Sequence, residues 1–179
     1  MTLWLAGLAA ATLAPAAVVV IALRRRFVVV QVRGQSMLPT FQPGDRVMVR
    51  RVGPRSVQRG QVVVFERQRR GRWQTGRLPR PGGECRWIIK RVTAIPGDPV
   101  PGDVAHAVDA IKGTRVPEAQ LVVIGDGRAS RDSRSFGYVP ADRVLGVVVR
   151  VMPPPGLRPS GPRHIGVSSQ PRWTARTPT

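Results

Sequence analysis

The sequence predicts a mostly-β domain carried behind one N-terminal apolar helix. Three observations lead there. Six short segments rich in β-branched residues follow one another between residues 27 and 152, punctuated by turns such as Pro43-Gly44-Asp45 and Pro96-Gly97-Asp98. Gly (19) and Pro (18) are both frequent and long charged amphipathic runs are missing, which favours strands and turns over a helical bundle. The chain also opens on an uncharged stretch long enough for a membrane span. With 179 residues there is room for one core domain and small attachments.

Residues 3–23 (LWLAGLAAATLAPAAVVVIAL) are 21 in number and hold no charged side chain. As a helix they reach roughly 31 Å, the thickness of a bilayer core. Pro15 can kink such a helix without excluding it. A cleaved signal peptide would begin with a charged segment, and none precedes Leu3. Arg24, Arg25 and Arg26 then serve as a headgroup anchor, so residues 1–26 are expected to be a retained membrane anchor.

Beyond the arginines the pattern becomes strand-like. Strands are expected over 27–32 (FVVVQV), 46–52 (RVMVRRV), 61–66 (QVVVFE), 87–95 (WIIKRVTAI), 120–124 and 143–152. Residues 71–83 read as an exposed loop or loose hairpin, and 103–112 hint at a short helix. From Pro153 onward Pro, Arg, Ser and Thr dominate, so 153–179 is expected to be a disordered tail.

The formal net charge is +19, and of 29 basic residues only Lys90 and Lys112 are lysine. Such a charge attracts polyanions, anionic membrane lipid among them. No nucleic-acid-binding module is visible, so no specific nucleic acid is expected. Cys85 is the only cysteine, which excludes an internal disulfide. No metal or cofactor is expected.

Ser36 follows the first strand within Gly34-Gln35-Ser36-Met37-Leu38-Pro39-Thr40. A serine at a strand-to-turn junction can present its Oγ and its own backbone N–H together, which suits acyl transfer. A serine alone is weak evidence and needs a base. His106 and His164 lie in a polar stretch and in the tail, away from an acidic partner, which disfavours a Ser-His-Asp triad. Lys90 sits among Trp87, Ile88, Ile89 and Val92, where burial would lower its pKa and let it act as a base. Arginine cannot do this, because its guanidinium stays protonated. The competing reading is a lysine at a strand edge with its tip in water. A third segment, 125–137 (GDGRASRDSRSFG), gathers hydroxyls, carboxylates and arginines in one loop. Ser130 could orient the lysine, and Asp132 and Arg134 could pair to hold the loop. Taken alone, it could equally be an ordinary solvated turn.

Taken together, Ser36-Met37-Leu38-Pro39-Thr40, Pro43-Gly44-Asp45, Ile89-Lys90-Arg91-Val92 with Pro96-Gly97-Asp98, Gly125-Asp126, and Ser130-Arg131-Asp132-Ser133-Arg134 with Gly137 resemble the ordered signature boxes of type I signal peptidases. The resemblance covers roughly residues 30–150. It implies coiled antiparallel sheets over a catalytic domain at 27–152, and endoproteolysis through an acyl-enzyme. In that picture Ser36 is the nucleophile and neutral Lys90 the general base. The Ser36 N–H faces the oxyanion, Ser130 orients Lys90, and Asp132 and Arg134 are structural. The substrates implied are exported preproteins, bound extended, with small side chains flanking a large one before the cut.

The sequence departs from the family pattern in three places. Some members carry a serine at the position of Gly34, as a second oxyanion donor, so Gly34→Ser is expected to be tolerated. The loop from Gly125 to Ser130 is one residue shorter than the common spacing, with Gly127 in place of the usual asparagine. Only 53 residues separate Ser36 from Lys90, too few for a large accessory domain. This minimal form is compatible with a maturation protease dedicated to one substrate. A self-cleaving Ser-Lys regulator of the LexA kind would lack the membrane helix and the 130–137 loop. A membrane-tethered basic binding protein would not need Ser36 and Lys90. The arginines after the helix would, by the positive-inside rule, leave the domain in the cytoplasm. The resemblance implies the opposite, an extracytoplasmic catalytic domain on a single-pass anchor in the cell membrane.

Overall fold

A computed structural model describes residue 18, residues 22–79 and residues 87–152. Seven strands form one antiparallel sheet: β1 (Phe27–Gln31), β2 (Arg46–Arg50), β3 (Val62–Glu66), β4 (Trp87–Ala94), β5 (Gln120–Ile124), β6 (Val139–Pro140) and β7 (Val144–Met152). Their order is β1-β2-β7-β3-β4-β5-β6, so the last strand enters the middle of the sheet between two early ones. The sequence of β7 explains its place. Its first five residues, Val144 to Val148, are all buried, as a strand covered on both faces requires, and its exposed Arg150 lies near the far end.

β3 shows how the domain is held together. All five of its residues are buried. Successive side chains leave a strand on opposite faces, and here they enter two separate cores. Val63 and Phe65 join Val92, Leu121, Val123, Val139, Val144 and Val147. Val62 and Val64 join Val32, Met37, Phe41, Val47, Val49 and Leu145. A sheet can wrap a core on each face only by curling. Bulges between Met48 and Val49, Val64 and Phe65, and Val92 and Ala94 supply local bends and added twist. A smaller core of Ala94, Val104, Val116 and Val122 lies under the segment between β4 and β5. At the end of β3 the buried Glu66 meets Arg143, also buried, at 3.5 Å. Arg143 also donates to Gly76 O at 2.6 Å, which ties the loop after β3 to the start of β7.

All six strands expected from sequence are present, shorter by a residue or two at some ends. β6 was not expected: two residues, one of them Pro140, leave no alternation to read. The helix expected over 103–112 is only a 3-10 turn, Ala105–Val108, closed by Asp109 in the left-handed region (φ 50°). The expected 71–83 loop or hairpin lies partly outside the described residues. Its tight element comes earlier, where Arg69 and Arg72 exchange two 3.0 Å hydrogen bonds around Arg70 and Gly71, both at positive φ. Residues 22–26 are helical and run directly into β1. Most of the expected 3–23 span, and the whole 153–179 tail, lie outside the described residues. Among the described residues no helix is long and apolar enough to cross a membrane.

The packing of β2 against β7 yields a test. A Cβ on Gly146 would fall 2.2 Å from Arg50 O and 2.8 Å from Arg50 C, both backbone atoms that cannot swing away. Gly146→Ala should therefore destabilise the domain by about 1–3 kcal/mol, read as a lowered unfolding midpoint. An unchanged midpoint would show that the two strands do not approach so closely.

Candidate active site

The segment between β1 and β2 is a closed loop. Val32 N–H donates to Asp45 O (2.8 Å) and Gly44 N–H to Val32 O (3.0 Å) at its neck. Met37 and Phe41 are its anchors, both essentially inaccessible and joined by Phe41 N–H to Met37 O (2.9 Å). Immediately before the first anchor stands Ser36, half-buried at the surface. The Leu38–Pro39 peptide is cis.

Lys90 lies on β4, opposite Val63 of β3, with Ile88 and Val92 two residues to either side on the same face. It is 2% exposed, and its Nζ donates to Ser36 Oγ at 2.5 Å. Burial is the strongest influence on the amine and draws its pKa below the usual 10.5. Asp132 and Asp126 pull it upward, while Arg134 adds to the lowering. The net direction favours a neutral amine at lower pH than an exposed lysine allows. Lys112, by contrast, is exposed on a turn, and His106 is exposed with no acidic partner among the described residues. His164 and Cys85 lie outside the described residues.

The 125–137 segment packs onto this pair. Asp132, fully buried, is the hub of its turn. It accepts from Arg134 Nε (2.9 Å) and Nη2 (2.8 Å), from Arg134 N–H (3.2 Å) and from Gly125 N–H (3.0 Å). Burial would raise its carboxyl, but these donors outweigh that and hold it below the usual carboxylate value. The Asp132–Arg134 pairing read from sequence is therefore present. Ser133 Oγ accepts from Val123 N–H at 2.9 Å, fastening the single helical turn Ser133–Phe136 to β5.

Ser130 comes to the same place but makes no hydrogen bond to Lys90. Its Oγ is buried and close enough to Asp132 to help hold that carboxyl down, without forming a well-aligned hydrogen bond among the described residues. It sits over Gly125, where a Cβ would meet Ser130 Oγ at 2.0 Å and Ser36 O at 2.5 Å. Gly125 is thus required by the close approach of two chain segments. Gly127 is too. Its N–H donates to Ser36 O at 3.0 Å, and a Cβ there would lie 2.6 Å from Gln35 O. Ser36 N–H itself is not engaged by any acceptor among the described residues.

One part of the site was not anticipated. Arg91, next to Lys90 but on the other face of β4, forms a bidentate pair with Asp126 (Nε 2.9 Å, Nη2 2.7 Å) and donates to Gly60 O at 3.0 Å. Thr40 Oγ1 donates to the same carboxylate at 2.5 Å. Asp126 therefore joins the Ser36 loop, β4 and the 125–137 segment. These donors hold its pKa down against the raising effect of burial. Strand alternation places Arg91 opposite Lys90, which is the sequence signal that could have marked it.

With the geometry in place, comparison with known proteins is decisive. The family described as signal peptidase, peptidase S26, matches residues 5–106 and 101–152. This chain belongs to that family. A probable signal peptidase I-1 of Synechocystis sp. is 32% identical over 151 residues, covering 71% of this chain and 73% of that protein. A mitochondrial ATP-independent inner membrane protease subunit 1b of Arabidopsis thaliana is 32% identical over 139 residues, 72% of each chain. Signal peptidase IB of Staphylococcus aureus is 26% identical over 154 residues, 65% of this chain and 73% of the other. A crystal structure of a signal peptidase I from Enterococcus faecalis aligns at 22% identity over 52% of this chain and 97% of that one, with a TM-score of 0.34, too loose to bear on the fold. The chain is a serine endopeptidase.

Two glycines of the peptidase give tests. Gly34 has φ +84°, so although a side chain there would meet open space, its backbone is strained for any other residue. The expectation that Gly34→Ser is tolerated is corrected accordingly: the serine should cost about 1–2 kcal/mol in unfolding free energy. Gly127→Ala should leave the fold intact but displace Ser36 and lower kcat/KM for peptide cleavage roughly 100-fold. Near-normal turnover would mean that the two loops are free to separate.

Proposed function

We propose that the chain is a membrane-bound signal peptidase that removes signal or leader peptides from exported preproteins through a Ser36–Lys90 dyad. The observation that carries this reading is the buried Lys90 amine, its pKa lowered, 2.5 Å from Ser36 Oγ. As Ser36 Oγ attacks the scissile carbonyl carbon, neutral Lys90 takes the hydroxyl proton. The tetrahedral oxyanion receives the unengaged Ser36 N–H. Collapse expels the amine of the mature protein, which takes the proton from Lys90, and leaves the signal peptide esterified to Ser36. A water then gives its proton to Lys90 as its oxygen attacks the ester carbon; Ser36 Oγ leaves and takes that proton back, releasing the signal peptide's new carboxyl end and restoring neutral Lys90. No step calls for a metal or cofactor.

Ser130 is assigned a positioning role. Its buried hydroxyl lies beside the Asp132 carboxylate and retains lone pairs that can accept a further hydrogen bond. Lys90 is the candidate when it lets go of Ser36 Oγ during acylation. Asp132 and Arg134 hold the segment that delivers Ser130.

Ser36→Ala should abolish cleavage of a preprotein while preserving the melting profile. Lys90→Arg should be equally inactive, because the replacement keeps the charge but cannot surrender its proton. In the wild-type enzyme, activity should rise with pH as Lys90 loses its proton, with the midpoint below 10.5 because burial lowers that pKa. A pH-independent rate, or turnover by Lys90→Arg, would place the base elsewhere.

The catalytic domain is proposed to face outward from the cell membrane, where preproteins emerge, with Arg24–Arg26 against the outer headgroups near anionic lipid. Long domains translocate despite flanking charge. Protease added to intact spheroplasts should digest the domain. Protection until the membrane is broken would reverse this orientation.

A further inference from the structure

On the face of β4 that carries Lys90 lies a groove of about 260 Å³ that the mechanism does not use. Its floor is Trp73, Ile88 and Phe136, all half-buried, and Arg67, Arg70 and Arg131 stand exposed on its rim. Two of its lining residues neighbour the reacting groups in the chain. Ile88 is two residues before Lys90 on β4 and shares its face. Arg131 lies between Ser130 and Asp132 in the loop that packs on Ser36.

The floor is fixed in place. The ring of Phe136 meets those of Trp73 and Phe65 edge-on, at centroid distances of 6.0 and 6.3 Å. Trp73 Nε1 donates to Tyr138 O at 3.1 Å, and Arg143 grips Gly76 O just beyond. The rim arginines are different. Arg91, Arg134 and Arg143 each hold a carboxylate at 2.9 Å or less, whereas Arg67, Arg70 and Arg131 have no side-chain acceptor among the described residues. Three exposed guanidiniums lining one groove over an aromatic floor, with no side-chain acceptor among the described residues, are the complement of a carboxylate borne on a peptide. A concave groove opening on the lysine's own face suits an extended chain better than a flat lipid surface.

We propose that this groove is an acidic subsite, in which Arg67, Arg70 and Arg131 bind an Asp or Glu side chain of the substrate close to its cleavage site. The inference rests on the dyad reading for its alignment with the cut, and it adds a charge preference to the substrate class. Because the arginines are solvent-exposed, the preference should be modest and sensitive to salt, roughly fivefold in kcat/KM at low ionic strength.

The test uses the full chain in zwitterionic detergent with a peptide series carrying one cleavage site. Single Glu or Gln residues are walked through three positions on each side of the cut. Cleavage should favour Glu over Gln at one or two adjacent positions, and the ratio should fall toward one in Arg67→Ala/Arg131→Ala and in high salt. In parallel, fluorescence anisotropy measures binding of the same peptides to Ser36→Ala, with and without the arginine substitutions. Arginine-dependent binding of the Glu peptide without any cleavage by the wild type would uphold the groove and overturn the dyad reading. Cleavage with a Glu/Gln ratio near one at every position would overturn the groove alone. A ratio untouched by the arginine substitutions, with weakened binding to vesicles containing phosphatidylglycerol instead, would assign the arginines to the membrane and also overturn it.

Discussion

The proposed chemistry depends on keeping one amine dry. A lysine in water is protonated at neutral pH and has no lone pair to offer; surrounded by apolar strand residues it loses the solvation that favours the cation. Lys90 meets that condition because β4 lies beside β3, a strand buried on both faces, and because the 125–137 segment covers its tip. The same cover brings two carboxylates near the amine, which works against deprotonation. Each is already engaged by an arginine, Asp132 by Arg134 and Asp126 by Arg91, so much of its charge is spent locally. Burial outweighs what remains.

Three segments far apart in sequence converge on this amine, and hydrogen bonds act together with the apolar core that anchors the Ser36 loop through Met37 and Phe41. Asp126 receives Thr40 from the Ser36 loop and Arg91 from β4. Gly127 receives the carbonyl of Ser36. Asp132 secures the turn behind them. The cores fix the strands and seat the Ser36 loop, while these links tie that loop to β4 and to the 125–137 segment. That division suits a site where backbone segments pack within a Cβ's reach of one another.

Much of this was legible in the sequence, for identifiable reasons. Strands such as VVVFE and WIIKRVTA announce themselves by β-branched content, and the motif order pointed to Ser36, Lys90 and the Asp132–Arg134 pair. Topology was not legible, because no local pattern says that the final strand inserts between β2 and β3. The Arg91–Asp126–Thr40 link was hidden in a chain where arginine is the ordinary basic residue, so one more attracted no notice. The helix expected at 103–112 is absent because only Val104 and Val108 of the segment pack on the small core, and a left-handed Asp109 ends the turn after four residues.

The contact between Gly127 and the Gln35–Ser36 peptide has a consequence for any change of the 125–130 loop. With the loop drawn this tight, a Cβ at 127 would lie 2.6 Å from Gln35 O, a backbone atom that cannot swing away. Any side chain at 127 would push the Gln35–Ser36 peptide away, so an engineer introducing one would have to reshape the loop in the same step.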